Sequence, residues 1–393
     1  MTKFAHIADC HLGGWKQQQL QDLNFASFEK AIDICIKEKL DFILIAGDLF
    51  DSAYPPIEIL KETFAQFRKL KEAKIPCFIV AGSHDYSVSG KTFLDVLEKA
   101  GFCTNVENFE EKQNEIGEKF LMLNPTIYKN VAIYGYPGKK SGLEIPDLRR
   151  IKLNDAPGMF KIFMFHTTID KARGTLPIDA IETELLPEAD YYALGHLHID
   201  FQYNNFVYPG PLFPNNFQEL EDLQYGSFYI IDTESGNPLK KIEIKLKEVI
   251  PMQIKIKNAL TATEQIVAEL EKIEIEDKII LLRLRGQIEQ GKHSDIKFQI
   301  IEDYIKTKGA YFILRNTHEL KSKEFELELQ VEPENAENIE GDTIKTYLGE
   351  NPSDFNKLIP QLMNILSIEK QEDEKTEVFN NRLIEGVKRI INF

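Results

Sequence analysis

Residues 41–51 read Asp-Phe-Ile-Leu-Ile-Ala-Gly-Asp-Leu-Phe-Asp. Five apolar residues, Phe42 to Ala46, end at Gly47-Asp48, and a run of that length bounded by turn residues predicts a strand buried on both faces. The same punctuation recurs along the chain. Lys3 to Ala8 ends at Asp9-Cys10-His11, Cys77 to Ala81 at Gly82-Ser83-His84-Asp85, Lys161 to Phe165 at His166, and Tyr191 to Leu194 at Gly195-His196-Leu197-His198. Between these runs apolar residues return at helical spacing: Phe25, Phe28, Ile32 and Cys35, then Leu60, Phe64, Phe67 and Leu70 after Pro55-Pro56. Strand, helix, strand in this order predicts an α/β fold with parallel strands, and ligands in such sheets lie at the carboxyl ends of the strands.

The chain has 393 residues, 43% of them hydrophobic, which is enough for two or three cores. A net charge of −16 argues against a surface coated with phosphate-neutralising cations, so any nucleic-acid contact is expected to be local or shared with a partner. Cys10, Cys35, Cys77 and Cys103 are scattered, without a C-x-x-C pair, which suits reduced thiols. No apolar run approaches the roughly 20 residues that span a bilayer, and the N-terminus carries no secretory signal. The expected setting is soluble and cytoplasmic.

Five of the eight histidines fall in the strand-end motifs, with Asp9 and Asp48 beside them. Asp9 and His11 are two apart, as are His196 and His198, so in extended backbone each pair projects to one side. Asp48, His166 and the Gly82–Asp85 turn add an oxygen ligand, an imidazole and a loop whose glycine admits close approach. Mixed nitrogen and oxygen donors suit manganese, iron or zinc. A structural zinc site more often shows clustered cysteines, whereas these donors meet only through folding. His6 is expected in a core, His293 and His318 in solvent, and Cys10 as a spacer between ligands. Trp15 and Lys16, and likewise Tyr86 and Ser87, read either as loop anchors or as ligand contacts.

This series, D-x-H, G-D, G-[S]-H-D, H and G-H-x-H, resembles the calcineurin-like metallophosphoesterase superfamily, whose third motif has asparagine where this chain has Ser83. His11-Leu12-Gly13, Gly47 to Asp51, Tyr191 to His196 and Tyr208-Pro209-Gly210 resemble, more narrowly, the SbcD-type nuclease subunit of a double-strand-break repair complex. The resemblance implies a four-layer α/β sandwich and a two-metal phosphodiesterase. By position, Asp9, His11 and His198 hold one metal, and Asp48 bridges to a second held by His166 and His196, with Ser83 in the remaining ligand position. The resemblance implies two Mn²⁺ ions, with Mg²⁺, Fe²⁺ or Zn²⁺ as alternatives. His84 takes the place of the residue that protonates the leaving oxygen, and Asp85 is expected to orient it. Ser83 is shorter than asparagine, so the second metal is completed through water or held more weakly. Two other readings stay open, a small-substrate phosphodiesterase and a catalytically impaired scaffold.

Residues 1–248 are thus expected to form the nuclease domain and 249–320 a small α/β cap. In the cap, Met252 to Lys257, Ile279 to Arg285 and Tyr311 to Arg315 read as strands, with helices over Thr261 to Ile273 and Ile296 to Lys306. The cap is locally cationic, and Arg283 and Arg285 are its candidate DNA contacts. Residues 321–351 are acidic and weakly periodic, a linker pattern. In 352–393 two apolar stripes appear, Phe355, Leu358, Ile359, Leu362, Met363 and Leu366, then Phe379, Leu383, Val387 and Ile390. The resemblance assigns them to docking on an SbcC-like coiled-coil ATPase, with DNA as substrate, 3′–5′ exonuclease and single-strand endonuclease action, and a homodimer. Packing on the chain's own cap is the alternative.

Overall fold

A computed structural model describes residues 2–86, 90, 92–235, 238–322, 358–366, 368 and 376–391. Ser87, Phe355 and nearly all of the acidic stretch expected over 321–351 lie outside the described residues. The chain divides into two units, residues 1–323 and 324–393.

The first unit opens as the periodicity predicts, with β1 (Lys3–Ile7), α1 (Gln18–Lys37), β2 (Phe42–Ala46), α2 (Ile57–Glu72) and β3 (Cys77–Val80). Helix α3 (Leu94–Lys99) and the strands β4 (Thr104–Asn105), β5 (Phe109–Gln113), β6 (Lys119–Leu123) and β7 (Thr126–Tyr128) lead into β8 (Val131–Tyr136). Then come α4 (Ile145–Leu148), β9 (Ile151–Leu153), β10 (Phe160–His166), α5 (Asp170–Arg173), β11 (Tyr191–Gly195), β12 (Asp200–Tyr203) and β13 (Phe206–Pro209). Helix α6 (Phe217–Leu223), β14 (Gly226–Asp232) and β15 (Leu239–Ile244) close the domain.

Two six-stranded sheets form, ordered β15-β14-β1-β2-β3-β4 and β12-β13-β11-β10-β8-β7. Alternation along β2 decides the layering. Phe42 and Leu44 point with Phe4, Phe78 and Val80 into the core between the sheets, where they meet Val131, Ile133, Ile162, Met164 and Ala193. Ile43 and Ile45 face the other way, onto Phe28 and Ile32 of α1 and Phe67 and Leu70 of α2. Every residue of β2 is therefore buried, which is why the strand is continuously apolar. The outer face of the second sheet carries Tyr134, Phe163, Phe165 and Tyr192, covered by Leu121, Leu123 and Ile151 of a small β5-β6-β9 sheet. Helices, sheet, sheet and small sheet give the four-layer α/β sandwich of a metallophosphoesterase. The four layers are those the resemblance implies, but the strands of the fourth are not read from periodicity, because β5 is exposed along its whole length and lacks an apolar pattern.

The cap comprises β16 (Val249–Lys255), α7 (Ala262–Leu270), β17 (Ile279–Ile288), α8 (Phe298–Thr307) and β18 (Phe312–Ser322), with all three strands parallel. Strand β18 runs seven residues past Arg315, so structure persists to Ser322 and into the start of the expected linker. Along β17, Ile280, Leu282 and Leu284 pack with Ile266 of α7 and Ile301 of α8. Ile279 and Leu281 face the opposite side and join Trp15, Leu20, Leu23, Phe213 and Leu220 of the first domain. The cap is thereby fastened to the strand-end face of the sandwich. In the second unit, α9 (Ile359–Leu366) and α10 (Thr376–Ile391) pack on one another. Gly386 allows the approach, since a Cβ there would lie 2.9 Å from Ile365 Cγ2. No helix among the described residues is long and apolar enough to cross a membrane.

Candidate metal centre

The loops leaving β1, β2, β3, β10 and β11 converge at one end of the two sheets. The loops after β1 and β2 run side by side, with Asp9 N–H donating to Gly47 O (3.2 Å) and His11 N–H to Asp48 O (3.0 Å). The backbone there is not extended. Asp9, His11, Asp48 and His196 have φ values of +50°, +42°, +50° and +95°, so the expected geometry of alternating extended residues is replaced by tight left-handed turns. Each such non-glycine residue costs on the order of 1–3 kcal/mol, and strain of this kind persists where the surrounding structure over-determines it. Gly47 has φ +87°, and a Cβ there would stand 2.2 Å from His166 Nδ1. At Gly82 a Cβ would stand 2.2 Å from Asp48 Oδ1. These glycines let two strand ends close on the centre.

The structure brings Asp9, His11, Asp48, His84, His166 and His198 together. Asp9, His11 and His198 offer ligand atoms within 4.8 Å of one another, as do Asp9, Asp48 and His166, and as do His11, Asp48 and His84. Asp48 lies between the sets: its Oδ1 accepts His84 N–H (2.8 Å), and its Oδ2 is 3.1 Å from His166 Nε2 and 3.6 Å from His11 Nε2. The His196 ring sits against His166 at 5.2 Å between centroids, and its backbone N–H donates to Asp9 Oδ1 (2.9 Å). Ser83 is half-buried in the turn between Gly82 and His84.

Two carboxylates unassigned by the sequence reading orient the imidazoles. His11 Nδ1 donates to Asp51 Oδ1 (3.2 Å), and His198 Nδ1 donates to Glu219 Oε1 (2.8 Å). With both rings neutral, as metal binding requires, both Nε2 atoms carry lone pairs, and they face each other at 3.0 Å. Two lone pairs at that distance repel unless a cation or proton lies between them. His166 Nδ1 donates to Ala46 O (2.9 Å), so its neutral ring turns the Nε2 lone pair toward Asp48 Oδ2 at 3.1 Å, and Asp9 Oδ2 is buried and unpaired. Buried polar atoms are rarely left so. The donor set, the unpaired atoms and the orienting carboxylates together fit divalent metal ions.

Charge in the centre is strongly perturbed. Burial pushes the Asp9 carboxyl up. Burial would do the same at Asp48, but His166 and His11 outweigh it and hold that carboxyl well below its usual range. Burial alone would lower His198, yet Glu219 and Asp9 raise it to about 9. Burial, with His166 beside it, lowers His196 to about 4.

Asp85 does not orient the His84 ring. Its carboxylate accepts the backbone N–H groups of Gly82 (2.9 Å), Phe50 (3.0 Å) and Leu49 (3.3 Å), tying the third motif to the second. The His84 ring is held by the backbone carbonyl of Asp51, which accepts from Nδ1 at 2.9 Å. Arg283 also departs from expectation as a DNA contact. It is 8% exposed and bonded to Glu221 (2.6 Å), Glu319 (3.1 Å) and Gln218 (2.8 Å). Four of its five N–H donors are thereby engaged within the protein, which leaves little of the guanidinium for phosphate. Arg283 shares the face of Ile279 and Leu281, and the pairing register shifts between Arg283 and Arg285, so strand periodicity alone does not separate the two. Arg285 is exposed. Trp15 is a loop anchor, buried with Nε1 donating to Pro214 O. His6 and Cys10 are buried, while His293 and His318 are exposed.

A two-sheet sandwich with imidazoles and carboxylates converging from its strand ends defines a metal-dependent phosphoesterase. A calcineurin-like phosphoesterase model matches residues 2–200. The chain belongs to that family. Among its relatives, the DNA double-strand break repair protein Mre11 of Methanocaldococcus jannaschii is 30% identical over 276 residues, 65% of this chain and 70% of that protein. The Mre11 of Methanococcus maripaludis is 27% identical over 303 residues, 70% of this chain and 75% of that protein. An uncharacterized metallophosphoesterase, YhaO of Bacillus subtilis, is 26% identical over 300 residues, 72% of this chain and 69% of that protein.

Proposed function

We propose that this chain is a manganese-dependent DNA nuclease acting in double-strand-break repair. The observation that carries the reading is the pair of facing, carboxylate-oriented imidazoles, His11 and His198, set beside Asp48 in a chain similar to double-strand break repair proteins. Asp9, His11 and His198 would hold one ion and His166 and His196 a second, with Asp48 lying between the two sets. When bound, such ions neutralise phosphate charge and acidify water. His84 is half-exposed beside this cluster, its Nδ1–H committed to Asp51 O, so that when the ring is protonated its Nε2–H can be delivered to the departing sugar oxygen, leaving the neutral imidazole. Asp85 and Asp51 fix the loop and ring that make this possible. Exonuclease action in the 3′–5′ sense and single-strand endonuclease action extend the proposal, as do cytoplasmic work on the nucleoid and a homodimer. Arg285 is the cap residue we assign to the DNA backbone, and the amphipathic pair α9 and α10 is the segment we assign to an SbcC-like coiled-coil ATPase.

A second reading, a scaffold with an impaired centre, is favoured by Ser83, whose hydroxyl lies one carbon nearer the backbone than the amide oxygen it replaces. One experiment separates the readings. The purified chain is incubated with Mn²⁺ and end-labelled duplex DNA, and in parallel with an aryl phosphodiester. Shortened DNA supports the nuclease. Cleavage of the aryl ester alone sinks it in favour of a small-substrate enzyme. Inertness of both, in protein that binds Mn²⁺ and gains activity on Ser83→Asn, supports the scaffold.

A further inference from the structure

Helix α6 is only two turns long, yet opposite sides of it touch the metal centre and the cap. Its N-cap is Asn216, whose side-chain oxygen accepts Glu219 N–H (2.9 Å), and Asn216 Nδ2 donates back to Glu219 Oε1 (2.5 Å). Glu219 Oε2 accepts Asn215 N–H (2.7 Å), while Oε1 holds His198 Nδ1. Asn215 Nδ2 in turn donates to Asp51 Oδ1 (3.3 Å), the carboxylate oxygen that orients His11. The residues at the start of α6 are therefore hydrogen-bonded to both facing imidazoles, directly through Glu219 and by way of Asp51 through Asn215.

From the other side the cap grips the same helix. Arg283 on β17 reaches Glu221 through Nε and Nη2, donates to Gln218 Oε1, and lies over the Phe217 ring at 5.0 Å from its centroid. Its third acceptor, Glu319, is on β18, so the guanidinium ties α6 to two cap strands at once. Leu220 is fully buried among Trp15 of the first domain and Val249, Ile279 and Leu281 of the cap. A planar guanidinium with five donors suits this geometry, because it fixes direction as well as distance.

We infer that α6 is a strut through which the cap positions the His198 ligand, with Arg283 and Glu219 as positioning residues at its two ends. Displacement of the cap, as by DNA or a partner seated on it, then changes metal affinity without touching a ligand. The inference rests on the metal-centre reading, and the test keeps the two apart. Mn²⁺ binding is measured by calorimetry on the full chain and on Glu219→Gln, Arg283→Met and the double variant. Glu219→Gln is expected to weaken binding by about 10- to 100-fold, the usual cost of losing a carboxylate behind a ligating histidine. Arg283→Met is expected to weaken it roughly 2- to 30-fold, the span for a residue that contacts neither site directly. In the Glu219→Gln background Arg283→Met should have no further effect, because the cap acts through that carboxylate. Arg315→Met, which removes another cap arginine pair (Glu302, 3.0 Å) away from α6, is the control and should leave affinity unchanged. If Arg283→Met does not fold, Glu221→Gln breaks the same link more gently and is expected to move affinity in the same direction. Additive losses in the double variant, or a loss with Arg315→Met equal to that with Arg283→Met, would overturn the strut. Failure of the unmodified chain to bind Mn²⁺ would instead remove the metal-centre reading.

Discussion

His6 links the two sheets at a point that also sets the metal centre, and it should make the fold acid-sensitive in a calculable way. It lies on β1 in the first sheet and is fully buried. Its Nε2 faces Leu194 O (3.2 Å) and its Nδ1 faces Tyr191 OH (2.9 Å), both on β11 of the second sheet. A carbonyl only accepts, so Nε2 carries the proton, and Nδ1 accepts the tyrosine hydroxyl. The neutral ring is fully satisfied, and burial lowers its pKa from 6.5 to about 3. The sign follows from linkage. The unfolded chain takes up a proton below 6.5 and the folded chain does not, so this stability is fully present above 6.5 and is lost as pH falls toward about 3. At roughly 1.4 kcal/mol per pH unit, the loss between pH 7.5 and 5 is about 2 kcal/mol. The perturbation is His6→Gln, which keeps a donor and an acceptor but does not titrate. Urea unfolding of both proteins, with chelator present so that metal linkage drops out, would give the stability difference at each pH. That difference should shift by about 2 kcal/mol toward the variant between pH 7.5 and 5. Parallel stability curves would refute the reasoning, whatever the variant's absolute stability. Because β1 leads to Asp9 and β11 to His196 and His198, loosening this link also misaligns the proposed ligands from the two sheets.

Three further outcomes follow from the geometry. Asp9→Asn removes a buried, partly unpaired carboxylate, so thermal unfolding without metal should be unchanged or slightly later, while the rise in midpoint on adding Mn²⁺ disappears; a retained rise would exclude Asp9 as a ligand. His84→Asn should lower kcat on DNA by about 10²- to 10⁴-fold with Mn²⁺ affinity preserved, and a parallel fall in affinity would make His84 a ligand rather than an acid. Arg285→Gln should weaken DNA binding and flatten its salt dependence by about one counterion, whereas an unaltered salt slope in a binding titration would remove Arg285 from the DNA face.

Much of the candidate centre is readable from sequence because its imidazoles and carboxylates sit at strand ends, where an apolar run stops and a glycine or acid begins. Asp9, His11, Asp48, His166 and His198 are found this way, since local periodicity encodes where each element ends. Local pattern does not encode which polar group meets which across the fold. Glu219 illustrates the limit. The Asn216-x-x-Glu219 spacing marks a helix start, but nothing nearby in the chain indicates that its carboxylate will hold His198. Asp51 lies within a quoted motif, yet its contacts with His11 and His84 arise only when the loops after β1, β2 and β3 close together. The turns themselves are a further case. Two-residue spacing suggested extended backbone, and the structure instead holds Asp9, His11, Asp48 and His196 at positive φ, a choice made by packing against Gly47, Gly82 and neighbouring strands.

Arg283 marks the division most clearly. By itself the sequence determined a strand, Ile279 to Arg285, bearing two cations in a cap of locally basic composition. Only the tertiary structure decided that one guanidinium turns inward to Glu221 and the other stays in solvent. The physical reason is that charge is a property of the residue, whereas its use depends on what desolvates and pairs it. The succession of strands and helices along the chain, their burial and the kinds of donor at their ends come from short-range pattern and hydrophobicity. The pairing of Glu219 with His198, of Asp51 with His11 and of Arg283 with α6 comes from residues 21, 40 and more than 60 positions apart, brought together only when the sandwich and the cap close on one another.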